Sequence, residues 1–319
     1  MKLEGDGVEE LRVLHDTGYL LVSTSDQGPP VALEKRPGVT LCHLGSPVPR
    51  GSVLVAKTGA LAAHRPPGGA WRLFDDVDHA DATAAIAKLS EASDPAGRPP
   101  AGAIRIGAVD YALTGTTLSR FAWDGTLLSS VVLSPEPLTA ALHRAGPAAV
   151  ARFEHMHPSR GYPRDLTHDR RRNRIIAWAW SMPGWVIALG LDGTIEWATI
   201  PTIECCNFVR LLPREDTIVQ MASCGRRLTF ISGDGATLGV RDFDVAPTSF
   251  FVDGEGGVVV AFVDGGIARF DALGVQHWTF DCPWVREAVI EEGVMYAVTS
   301  PERGLLEVNA FDLEGFKSA

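Results

Sequence analysis

The feature that most constrains this chain is one pattern written three times between Gly184 and Phe280. The stretches "WVIALGLDGTIEWATI", "RLTFISGDGATLGVRDF" and "GIARFDALGVQHWTF" each read as a strand, a tight glycine turn and a second strand. Their turn glycines, Gly193, Gly235 and Gly274, are 42 and 39 residues apart. A period near forty in an all-β pattern predicts a β-propeller, each repeat being one four-stranded blade. Seven blades of about 45 residues account for the 319-residue chain as a single domain over residues 1–319, with six blades as the alternative because the first two are less regular. Later blades are expected to start at Phe208, Ser249 and Arg286. The segment "VEELRVL" near the N-terminus is expected to complete the last blade, since an open ring would leave strand edges exposed.

Two stretches break the pattern. Residues 75–92, "DDVDHADATAAIAKLSEA", are Ala-rich after an acidic opening and predict a helix with Asp81 as its N-cap. The cluster Asp75, Asp76, Asp78 and Asp81 lacks the central Gly and closing Glu of a calcium loop, so it is read as helix capping. Residues 134–150 begin Ser-Pro, a cap followed by a first-turn proline, and predict the second helical insertion. In a blade whose strands run outward from the axis, fourth-to-first connections and second-to-third turns open on one face. Both insertions are fourth-to-first connections, so both are expected on that face, at the channel mouth.

Composition narrows the partners. A net charge of −10 argues against a phosphate-tracking surface, which makes nucleic acid an unlikely partner. The run Arg170-Arg171-Arg172-Asn173-Arg174 is read as a solvated turn. No apolar run approaches the roughly 18 residues of a membrane span. The N-terminal sequence has no apolar core of a secretory signal, and the cysteines number five. Together these predict reduced thiols and a cytoplasmic protein.

Two of the turns, Gly193-Thr-Ile-Glu-Trp197 and Gly274-Val-Gln-His-Trp278, have the form G-x-x-x-W after an Asp-containing strand end. This resembles the repeat of PQQ-like propellers, which include quinoprotein dehydrogenases and outer-membrane assembly lipoproteins. The resemblance implies that Trp197 and Trp278 dock between neighbouring blades. It implies fold and not cofactor, because the quinone-binding residues have no counterpart here. Relation to WD40-like propellers stays at the level of fold: Trp123-Asp124 lies at a turn and is not the WD signature.

Two constellations could carry chemistry on the insertion-bearing face. His155 and His157 with Cys205, Cys206, Cys224 and Cys282 could make a tetrahedral zinc site, or with Met156 a softer copper site. Against this, free cysteines are commonly buried as small hydrophobes, and no C-x-x-C spacing is present; the sequence requires no cofactor. The second constellation is Arg160, Tyr162, Arg164, Asp165, His168, Asn207, Trp284, Arg286 and Glu287, at or near predicted inner strands. Polar groups crowded at a concave mouth can bind small polar ligands, though propeller channels are commonly lined this way without function. No Walker A run, G-x-S-x-G elbow, H-E-x-x-H or dinucleotide fingerprint is present. The expected function is binding of a small molecule, peptide or protein at the mouth, with an enzyme at the same mouth as the alternative.

Overall fold

A computed structural model describes residues 8–14, 17, 19–24, 31–33, 47–48, 52–56, 61–66, 70–74, 79–91, 103–155, 163–179, 183–204, 208–212, 216–222, 226–253, 255–300 and 305–313. Strands dominate them. β1 (Val8–Leu14) pairs antiparallel with β2 (Tyr19–Thr24), whereas β3 (Val31–Leu33) and β4 (Pro47–Val48) join a different sheet. β5 (Ser52–Ala56), β6 (Leu61–Arg65) and β7 (Arg72–Leu73) complete a first sheet ordered β1-β2-β5-β6-β7. After α1 (His79–Glu91), the second sheet is β8 (Ala103–Ile106), β9 (Val109–Thr114), β10 (Thr117–Ala122) and β11 (Leu127–Val132). Then α2 (Glu136–Ala145) and α3 (Pro147–His155) precede the third sheet, β12 (Pro163–Asp169), β13 (Arg174–Ala179), β14 (Gly184–Gly190) and β15 (Ile195–Thr202). The fourth is β16 (Phe208–Leu211), β17 (Thr217–Ala222), β18 (Arg227–Ser232) and β19 (Thr237–Asp242). The fifth is β20 (Pro247–Val252), β21 (Val258–Phe262), β22 (Ile267–Phe270) and β23 (Gln276–Phe280). The sixth is β24 (Trp284–Glu291), β25 (Val294–Ser300) and β26 (Leu305–Asp312), extended by β3 and β4.

The fold class is all-β and of the propeller type: among the described residues, six sheets follow one another, and sheets two to five are complete four-stranded meanders. Residues expected to form two separate blades near the N-terminus instead share the first sheet and the outer edge of the sixth. There β3 pairs in parallel with β26, Leu305 opposite Ala32 and Leu306 opposite Leu33. The strand that extends the last sheet is therefore residues 31–33, not the expected "VEELRVL", which is committed to β2 as β1.

By contacts the chain divides into two compact units: residues 1–94, 248–270 and 276–319, and residues 95–247 with 271–275. In the second unit β12 touches both β8 and β16, and in the first unit β1 touches β24, so the first strands of successive sheets lie side by side. Middle strands are packed on both faces, which is why β13, "RIIAWA", and β17, "TIVQMA", are buried at every position. Outer strands are not: β11 and β19 are exposed at five of six positions.

The sheets of the second unit are joined by a repeated contact. A bulky side chain from one sheet sits on the glycine turn between the third and fourth strands of the next. Val131 faces Gly193, where a Cβ would come within 3.1 Å of its Cγ1. The Trp197 ring covers Gly235, where a Cβ would fall 2.7 Å from ring carbon. Its indole N–H donates to the Gly233 carbonyl at 2.8 Å, and it is the docking residue its G-x-x-x-W motif implies. At the next seam the position four after the turn glycine is Gly239, not Trp. The ring has moved across the strand pair: Ala188 faces Trp197 in the third sheet, whereas Phe230 faces Gly239 in the fourth. Phe230 covers Gly274, and Gly239 lets the chain approach the Leu273 carbonyl, which a Cβ would meet at 2.9 Å. In the first unit Trp278 is buried with Val259, Val285, Ala288 and Met295 between the fifth and sixth sheets.

Three of the third-to-fourth turns are also held by an aspartate, and the one at Gly235 by Ser232, whose Oγ accepts from the Ala236 N–H at 3.1 Å. Asp124, Asp192 and Asp271 accept from the backbone N–H two residues on, all at 2.9 Å. The Thr126 and Thr194 bonds hold the Asp124 and Asp192 carboxyls below the usual carboxylate range.

The insertions are helical as expected. α1 begins at His79, so Asp81 lies in its first turn rather than at the cap. Ala82, Ala85 and Leu89 lie on one face and pack with Leu14, Tyr19, Leu21, Leu54 and Ala63 of the first sheet. The second insertion runs further than its predicted end at 150. Ser134 Oγ accepts from the Glu136 N–H at 3.4 Å, and Gly146, at φ +99°, separates α2 from α3, which starts at Pro147.

The Trp197–Gly235 contact makes a quantitative expectation. Trp197→Ala costs about 3–5 kcal/mol by leaving a cavity in the seam. Gly235→Ala costs about 1–3 kcal/mol because the added methyl meets the ring and φ is +85°. In urea denaturation the double variant is expected to lose less than the sum, since removing the ring removes the clash.

Candidate functional site

Backbone bonds show which connections share an end of a sheet. In the third sheet, the N–H of Gly184, at the second-to-third turn, donates to the Glu204 carbonyl in the fourth-to-first connection at 2.9 Å. In the fifth sheet, Gly266 N–H donates to the Cys282 carbonyl at 2.8 Å. At Gly265, φ +94°, a Cβ would meet that same oxygen at 2.7 Å, so the turn closes on the connection only with glycine there. In both units these two kinds of connection converge, as the topology requires.

The expected binding residues are distributed as follows. Arg164 and Asp165 lie at the start of β12, with Asp165 opposite Trp178 after a register shift. His168 lies near the other end of β12, about 10 Å along the strand from Asp165. It is half-buried next to Asp169, and its Nε2 is buried with no hydrogen-bond partner among the described residues. It therefore does not join the group at the start of the strand. Trp284, Arg286 and Glu287 open β24, in the other unit, Trp284 opposite Ser300 and Glu287 opposite Val298. Arg160, Tyr162 and Asn207 lie outside the described residues.

Of the metal-ligand candidates, His157, Cys205, Cys206 and Cys224 lie outside the described residues, and His155 is the last residue of α3. Cys282 is placed. It packs with Phe280 and Ile290 against the core between the fifth and sixth sheets. Burial pushes its thiol up to about 11. In the absence of a metal this sulfur is a half-buried thiol among hydrophobic side chains.

The arginine run is not the solvated turn its charge pattern suggests. Arg170 and Arg171 are exposed, but Arg172 pairs with Asp216 of the fourth sheet. Arg174 is 2% exposed. Its Nε donates to Asp169 Oδ2 at 2.9 Å, its Nη1 to Glu196 Oε2 at 2.7 Å, and its Nη2 to the Gly233 carbonyl. The guanidinium carbon stands 5.6 Å from the Trp197 ring centre. All these groups lie at the opposite end of the third sheet from Glu204, and they are used in holding the third sheet to the fourth.

What sequence reasoning missed is at the Glu204 end. α2 packs along β15, the fourth strand, with Ala141 and Leu142 buried and Arg144 Nη2 donating to the Ala198 carbonyl at 3.2 Å. The insertion thus lines the outer strand rather than roofing an inner one. α3 then carries Arg152 to the connection after β15. Its Nη1 donates to Glu204 Oε2 at 3.1 Å and to the Ile203 carbonyl at 3.4 Å. Phe153, next to Arg152 in the chain, and Ile203, next to Glu204, are 37% and 40% exposed. An exposed pair of this kind contributes at most about 1 kcal/mol, so its role is to fix α3 on the sheet end. The available signal was the mixed stretch "ARFEH" directly before the residues that drew attention for their histidines.

No protein-family model and no curated protein matches the sequence. Solved structures similar to it include the Neurospora crassa Pan2 WD40 domain, at 9% identity and TM-score 0.47, over 68% of this chain and 64% of that one. BamB from Moraxella catarrhalis is similar at 12% identity and TM-score 0.43, over 67% of this chain and 58% of that one. Virginiamycin B lyase from Staphylococcus aureus is similar at 12% identity and TM-score 0.45, over 69% and 71%. This chain spans less than two thirds of the length of the first two. Among the described residues, no helix is long and apolar enough to cross a membrane.

Two measurements check the electrostatic assignments. Arg174→Ala leaves Asp169 buried without its partner and is expected to cost about 3–5 kcal/mol in denaturant unfolding, whereas Arg170→Ala changes stability by under about 0.5 kcal/mol. For Cys282 the folded thiol is the weaker acid, so the unfolded chain loses its proton first. Its contribution to stability is complete below about pH 9 and falls as pH rises toward about 11. Peptide-mapped alkylation by iodoacetamide should be slow at Cys282 at pH 8 and accelerate in that window, and fast labelling at pH 8 would contradict the assignment.

Proposed function

We propose that this protein is a binding scaffold that takes a protein or peptide partner at the end of the third sheet where α3 meets the connection after β15. The observation that carries the reading is the Arg152 anchor to Glu204 and the Ile203 carbonyl, whose chain neighbours include the exposed apolar residues Phe153 and Ile203. An arginine and aromatic or aliphatic anchors within a polar rim is the composition of interaction surfaces. Arg160, Tyr162, Arg164 and Asp165 follow α3 in the chain, and Asn207 follows Glu204. The net charge of −10 favours a partner that presents basic groups.

Site-specific photo-crosslinking tests the reading. A benzoylphenylalanine at position 153 is expected to capture one partner from the native host, and Ile203→Asp to reduce that capture at least tenfold with an unchanged melting temperature. The same label at Leu238, 45% exposed on the outer strand of the fourth sheet, should capture nothing specific. Equal capture at both positions would overturn the placement. Stoichiometric zinc or copper by elemental analysis, with turnover of a small molecule, would replace the scaffold with an enzyme.

A further inference from the structure

Each sheet from the second to the fifth has a register slip between its third and fourth strands, and the residue pair just before the slip marks one repeated place. In the third, fourth and fifth sheets that pair contains an aromatic ring: Ala188 with Trp197, Phe230 with Gly239, and Arg269 with Trp278. In the second sheet the pair is Arg120 with Ser129, and neither is a ring. The Gly193 turn is covered by Val131 and Leu118 instead. A cation and a hydroxyl thus stand where the other three sheets use an apolar ring.

Strand geometry sets which way Arg120 points. It lies opposite Tyr111 on one side and Ser129 on the other, and cross-strand neighbours share a face. Tyr111 is buried in one core with Ile175, Ala177 and Leu189 of the third sheet, so Arg120 and Ser129 turn to the same seam. Both are half-buried. The guanidinium carbon stands 5.8 Å from the Tyr111 ring centre, and Nε is buried with no hydrogen-bond partner among the described residues. From the third sheet His168, opposite Ile175, faces this seam with its Nε2 in the same condition. Among the described residues, every other arginine of this unit with a buried or half-buried side chain has a carboxylate. Arg105 has Asp110, Arg172 has Asp216, Arg174 has Asp169 and Arg227 has Asp242. Arg269, at the matching place in the fifth sheet, has Asp253 at 2.7 Å. Arg120 has no such partner among them.

We propose that the seam between the second and third sheets binds a small monocarboxylate at Arg120, with the Ser129 hydroxyl as a second donor. A half-buried guanidinium is costly to leave unpaired, and its planar fork matches the two oxygens of a carboxylate. The ligand supplies to Arg120 what Asp253 supplies to Arg269. Charge selects the class of anion. Residues 95–247 contain no lysine, so Arg120 offers one positive charge without an ammonium beside it from this unit. A carboxylate monoanion balances that charge. A phosphate dianion would keep an uncompensated charge at a half-buried place, in a chain whose net charge is already −10. The site uses none of the residues of the Arg152 surface and stands independently of it.

Titration of the full, nitrogen-15-labelled chain with sodium acetate, against sodium chloride at constant ionic strength, tests the site. The Arg120 Nε–H resonance is assigned by its loss in Arg120→Gln. It should shift saturably with acetate, half-way on the order of 10 mM, and inorganic phosphate should leave it near its chloride position. Ser129→Ala should raise the half-saturating acetate concentration about threefold. Acetate should also raise the melting temperature of the wild type but not of Arg120→Gln, and that variant should melt close to the wild type in chloride. A resonance that responds alike to acetate and chloride would overturn the proposal, as would tighter saturation by phosphate. So would a wild type indifferent to acetate together with an Arg120→Gln variant that melts lower in chloride, because Arg120 would then serve only to pack on Tyr111.

Discussion

The second unit depends on one contact repeated with different side chains: a bulky group of one sheet seated on the glycine turn of the next. At Gly235 the requirement is twofold. The turn needs a left-handed φ of +85°, and the Trp197 ring occupies the space a side chain would fill. A glycine is therefore fixed by the neighbouring sheet as much as by its own hairpin. The next seam shows that the contact, not the residue, is what is kept. Phe230 on the third strand and Gly239 on the fourth exchange the roles that Ala188 and Trp197 have one sheet earlier, and the ring still reaches its glycine turn.

Charge is arranged around these seams. Arg174 would be costly to bury alone, but Asp169, Glu196 and the Gly233 carbonyl accept three of its donors, and the Gly233 carbonyl also takes the Trp197 indole N–H. The carbonyl thus links a buried cation to the docking ring and sets both in one register. Arg172 and Asp216 add a second link between the same sheets. At the other end of the third sheet Arg152 ties α3 to Ile203 and Glu204.

A chain built from short meanders has many edges to cover, and this one covers them unequally. The sixth sheet gains a parallel strand, β3, from far away in sequence. β15 has a helix against it, and β19 carries charge. β11 stays apolar and uncovered among the described residues.

The amino-acid sequence by itself determined the strand–turn–strand repeat, the glycine positions and the two helical insertions. Those features rest on local chemistry and on a period, both of which are written along the chain. The sequence misassigned the strand that completes the last sheet, because "VAL" at 31–33 is short and its partner, β26, is far away in the chain. It read Arg172 and Arg174 as solvated, because a run of like charges gives no sign of Asp216 across the seam or of Glu196 two strands away in the same sheet. It passed over Arg152 and Phe153, whose position follows from how α2 and α3 lie along β15. Local propensity and periodicity decide which segments become strands; only packing in three dimensions decides which charges are buried, which edges are covered and which side chains remain at the surface.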